Sequence, residues 1–96
     1  MKTTEKYKFV YIVWEDSVGC SSGWQVLENA ENQFAPLNIS TGFLIKEGEN
    51  FKTICPHISF EDEIDFSHYA GMGIITIPNA AIKLCKEIKI PAFTFS

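Results

Sequence analysis

The sequence predicts a mainly β fold with one C-terminal α-helix, built as a small, partly open β-barrel of the SH3-like or Sm-like kind. Three observations lead there. Apolar runs rich in β-branched and aromatic residues recur at 8–14, 39–46, 51–59 and 72–77. Short stretches containing Gly, Asn or Pro punctuate them. At 96 residues the chain has room for a single domain, 1–96, so short strands must share one core.

The elements follow in order. Residues 1–6 are a polar lead-in expected to fray, and 91–96 form a tail. Lys8 to Trp14 reads as a strand that is apolar on both faces, Phe9, Tyr11 and Val13 on one and Val10, Ile12 and Trp14 on the other. A strand of that kind is central or lies in a subunit contact. Glu15 to Gly23 is a loop by its Gly, Ser and Asp content. A short helix follows Trp24, with Ser21 or Ser22 as its cap and Val26, Leu27 and Ala30 on one side. Ile39 to Lys46 and Phe51 to Ser59 form a hairpin about the turn Glu47-Gly48-Glu49-Asn50. Pro56 ends the second strand or confines it to an edge. An acidic loop, 60–71, leads to a strand over 72–77. Pro78 then starts a helix whose stripe Ile77, Ala81, Leu84, Ile88 makes Leu84 a core anchor; Lys83 and Lys86 suit its C-terminus and Pro91 ends it. Ala92 to Ser96 alternates and adds a last short strand.

Charge excludes some functions. All eight cations are Lys, and twelve acids leave a net charge of −4. This argues against nucleic acid as a partner, because phosphate affinity rests on clustered Lys and Arg. No apolar run approaches the roughly 20 residues that span a bilayer, and the N-terminus does not read as a signal peptide. The cysteines, Cys20, Cys55 and Cys85, are odd in number and widely spaced, which points to reduced thiols and a cytoplasmic location.

Trp14-Glu15-Asp16, the segment Ser40-Thr41-Gly42-Phe43-Leu44-Ile45, and Ile77-Pro78 followed by Ile82 occur together. This set resembles small phage and prophage proteins with a W-x-D start, a [ST]-x-G-[FW]-L strand and an I-P-x-x-x-I helix. The resemblance implies a small β-barrel and a life in the host cytoplasm of an infected bacterium. It implies no catalytic residues.

Several constellations invite chemistry. Cys55, His57 and His68 suggest zinc, with Glu61, Asp62, Glu63 or Asp65 as a fourth ligand, but their spacing fits no strong pattern and no metal is expected. The run Glu61 to Asp65 lacks the order of a calcium loop and reads as a solvated loop. Cys20 has no basic neighbour in sequence to activate it. Gly71-Met72-Gly73 precedes a strand, where a phosphate loop would follow one, so close backbone approach or a bulge is expected. Trp14, Asp16, Trp24 and Phe43 are the candidate ligand-binding residues, since two indoles at one barrel end beside carboxylates can stack a base or hold a cation.

These readings converge on a non-enzymatic binding protein without cofactor, a phage accessory or host-modulating factor. Its ligand would be a small molecule, a nucleotide among them, or a host protein. The both-sided first strand and the Phe93 and Phe95 tail add the expectation of a homo-oligomer. The alternatives are a small enzyme using Cys20 or a His, and an Sm-like RNA binder.

Overall fold

The computed structural model describes residues 2–17, 23–60 and 69–95. Its centre is a five-stranded antiparallel sheet. Strand β2 (Phe9–Glu15) lies between β3 (Leu37–Glu47) and β8 (Ile82–Glu87), and β4 (Phe51–Cys55) and β7 (Ile75–Pro78) continue the sheet beyond β3. Two short ladders complete the fold: β1 (Lys2–Thr3) with β9 (Thr94–Phe95), and β5 (His57–Ser59) with β6 (Ala70–Met72).

The registers explain the core. Ile12 faces Ser40 on one side and Cys85 on the other, and Ile54 faces Leu44 and Ile75. Side chains alternate along a strand, so these residues share one face with Val10 and Ile77. Val10, Ile12, Ile54 and Ile77 are buried there, and Trp14, Leu44, Ile75, Ala81, Ile82 and Cys85 pack around them. The Trp14 indole N–H donates to the Ser40 hydroxyl at 3.0 Å, which satisfies its one polar group at the margin of this core.

The link between β7 and β8 sets the curvature. These strands lie at opposite edges of the sheet, yet a single 3-10 turn, η1 (Asn79–Ala81), joins them. Flat, five strands would separate the edges by roughly 19 Å, at about 4.8 Å per gap. Three residues of 3-10 helix advance only about 6 Å. The sheet must therefore curl round its Ile12 face. Asn79 pins the link. Its N–H donates to the Asn50 carbonyl at 2.8 Å, its side-chain amide donates to the Glu49 carbonyl, and its side-chain oxygen accepts from Lys52 at 3.1 Å.

Two expectations are corrected here. There is no C-terminal α-helix: residues 82–87 are strand β8, paired with β2, and only Asn79–Ala81 turn helically. The misleading spacing has a physical source. Val13 pairs with Leu84 and Trp14 with Ile82, so Lys83 is an extra residue in the ladder. That bulge puts Ile82 and Cys85, three apart, on the same inner face, as a helix would. Leu84 points the other way and is exposed, so it is not a core anchor. The barrel is also not closed. Among the described residues β7 and β8 share no ladder, and Pro78 supplies no donor at the β7 edge. The SH3-like or Sm-like barrel thus gives way to an open, curled sheet.

Other segments settle as follows. The lead-in is paired: besides the β1–β9 ladder, the Thr4 N–H donates to the Phe93 carbonyl and the Phe93 N–H to the Thr4 hydroxyl, each at 3.0 Å. The hairpin at 47–50 is present, and its second strand stops at Cys55, before Pro56. The helix after Trp24 is one turn, α1 (Leu27–Glu31), with Val26 in the capping position and no side-chain cap. Ser21, Ser22, Cys20, His68 and the acidic run Glu61 to Asp65 lie outside the described residues.

The β5–β6 ladder covers Cys55. The thiol donates to the His57 carbonyl at 3.0 Å and lies 3.4 Å from the Met72 carbonyl. A Cβ at Gly71 would come 2.6 Å from the sulfur, so the glycine permits this close approach. Gly73, at φ +79°, turns the chain from β6 into β7. Phe60, Tyr69 and Phe95 form edge-on ring contacts that join the two short ladders, and Lys6 lies 5.0 Å from the Tyr69 ring centre.

Candidate docking surface

Alternation dictates what the outer face of the sheet presents. Since Val10, Ile12 and Trp14 point inward, Phe9, Tyr11 and Val13 point outward. The registers align them in rungs: Ile39, Val13 and Leu84 across three adjacent strands, then Thr41, Tyr11 and Lys86, with Leu37 beside Glu15 beyond. The first rung is wholly apolar, exposed at Ile39 and Leu84 and half-buried at Val13. Ile39 is 68% exposed, Leu37 63% and Leu84 37%. The segment between β2 and β3 is exposed as well. Trp24, Leu27 and Phe34 are 106%, 76% and 80% exposed, and α1 buries none of its residues. At the margin Lys83 pairs with Glu15 at 3.6 Å, and Lys86 stands exposed in the neighbouring rung.

The four candidate binding residues do not form one cluster. Trp14 faces the core side of the sheet. Phe43 lies on the outer face, edge-on to Phe9 with ring centres 5.3 Å apart. The Asp16 carboxylate accepts the Ser17 N–H at 2.8 Å, and its own N–H donates to the Pro36 carbonyl. Trp24 stands free in the 23–36 segment. A depression of about 580 Å³ lies elsewhere, between residues 4–9 and 87–92. Glu5, Glu87, Lys6, Lys8 and Lys89 line it with mixed charge.

Among the described residues no three His, Cys, Asp or Glu side chains gather to hold a metal. His57 is exposed while Cys55 is enclosed. Burial pushes the Cys85 thiol above its ordinary range; nearby Lys52 pulls it down and Glu47 pushes it further up. Among the described residues no helix is long and apolar enough to cross a membrane.

No family model, curated protein or solved structure matches this chain. The segments Trp14 to Asp16, Ser40 to Ile45 and Ile77 to Ile82 occupy structural positions. Trp14 and Ser40 are bonded to each other, Gly42 is buried opposite Val10, and Ile77, Pro78 and Ile82 flank the η1 link. The outer-face residues Val13, Leu37, Ile39 and Leu84 were missing from the sequence-derived site. The doubled apolar pattern of 9–14 and the alternation Leu37-x-Ile39 are the signals that point to them.

Proposed function

We infer that the protein is a non-enzymatic binding module that docks another protein against the outer face of its central sheet. The observation that carries this is the apolar rung Ile39, Val13 and Leu84, extended by Leu37. An exposed apolar patch with polar groups at its margin is what protein interfaces present, whereas a small ligand needs a concave site with convergent polar groups. The resemblance of the three motifs supports a phage accessory setting in a bacterial cytoplasm. Photo-crosslinking in the expressing cell tests the reading. A crosslinker at position 39 or 84 should give a protein adduct of defined mass, and one at Thr94 should not. Equal yields from all three positions, or none, would refute it.

A further inference from the structure

We propose that a second, smaller site on this chain binds a single-ring aromatic carboxylate. It lies apart from the docking patch and does not depend on it. Along β2 the patch is centred on Val13, whereas this site adjoins the rung of Phe9, Phe43 and Cys55, about 13 Å back along the strand.

The β5–β6 ladder builds the cavity. In it Ile58 is paired with Gly71. Ile58 is half-buried between exposed His57 and Ser59, so it faces the sheet beneath. Residues directly opposite in a ladder share a face, so a side chain at Gly71 would face the sheet too. Glycine has none, and the Cys55 sulfur stands 2.6 Å from the point where a Cβ would sit. A thiol is smaller than the side chain that would otherwise pair with Ile58. Beside it is a cavity of about 150 Å³, lined by Cys55, Ile58 and Gly71.

Size and walls select the ligand. An apolar cavity of roughly 150 Å³ takes up one benzene ring. Ile45 and Ile74 supply further apolar wall, and Tyr7 and Tyr69 supply aromatic rings. Among the described residues no charged side chain lines the cavity. The charge lies just outside it. The Lys6 ammonium is 5.6 Å from the Tyr7 ring centre and 5.0 Å from that of Tyr69, so one exposed cation is held against both aromatic walls. A ring in the cavity gains burial. A carboxylate on a short arm of that ring gains the ammonium as well, whereas an amine there is repelled.

Amide chemical-shift titration of the full chain tests the proposal, with phenylacetate, its neutral analogue phenylacetamide and the cation phenethylamine as probes. Phenylacetate should give saturable shifts centred on Ile58, Gly71 and Ile74, with a Kd of roughly 0.1–3 mM for so few atoms. Phenylacetamide should bind about 5-fold more weakly, and phenethylamine more weakly still. Lys6→Met should remove the advantage of the acid and leave the affinity of the amide unchanged. Gly71→Ala and Ile74→Trp should each abolish binding of both. Ile74 is exposed, so its variant keeps the fold even where Gly71→Ala disturbs Cys55. Four results would overturn the proposal: no saturable shifts, shifts centred on the depression between residues 4–9 and 87–92, equal affinity for the three probes, or binding that survives Ile74→Trp. None of them touches the docking reading, which stands on Ile39 and Leu84, and failed crosslinking there leaves this site standing.

Discussion

Ile12 is fully enclosed on the inner face, between Ser40 and Cys85 in the ladders. Ile12→Ala should cost about 2–5 kcal/mol by chemical denaturation, because its neighbours are held by strands and cannot collapse into the space. Exposed Lys86→Ala should stay within ~0.5 kcal/mol. Asn79 is the more telling residue. Asn79→Ala removes the side-chain bonds to Lys52 and Glu49 and should cost roughly 1.5–3 kcal/mol, more than an exposed turn residue ordinarily would. Cys85 carries a pH signature. Its thiol is raised by burial, so its alkylation at neutral pH should be slower than in the unfolded chain, and the pH at which labelling accelerates should lie higher in the folded one. Equal rates in both states would show that the sulfur is freely solvated.

At the scale of elements, the β1–β9 ladder is separable from the sheet. A chain ending at Lys89 loses β9, so hydrogen exchange should quicken at Thr4 while β2 stays protected by β3 and β8. Loss of protection throughout β2 would show that the ladder supports the core. Much of the sheet is legible in the sequence. The strands at 9–14, 39–46 and 51–55 announce themselves because β-branched and aromatic residues are concentrated there, and the Glu47-Gly48-Glu49-Asn50 turn fixes their pairing. The last strand is not legible, because one extra residue, Lys83, turns a two-residue alternation into a three-residue spacing. Pro78 followed by Asn79-Ala80-Ala81 then reads as a helix start, and it is helical for a single turn. The outer face is half legible. Apolar residues on both sides of β2 signal a second contact, but only the registers reveal that Ile39 and Leu84 flank Val13.

The whole molecule is long for its mass. Its Cα radius of gyration is 18.0 Å, against about 12–13 Å for a compact chain of this length. Its longest principal extent is 61 Å. Small-angle scattering should accordingly return a maximum dimension near or above that extent, and a compact sphere-like profile would contradict the extended ladders. The η1 link has a further consequence for how such a molecule is made. β3, β4 and β7 add to the growing sheet one after another in sequence, but β8 closes on β2, the first strand of that sheet to leave the ribosome. β8 is the last. Throughout synthesis of the intervening chain, one edge of β2 is therefore unpaired while both its faces are apolar, the combination most prone to recruit a stray strand. The short tether fixed to Asn50 shortens the final search, because once β7 has docked, β8 emerges already held beside the open side of the curl.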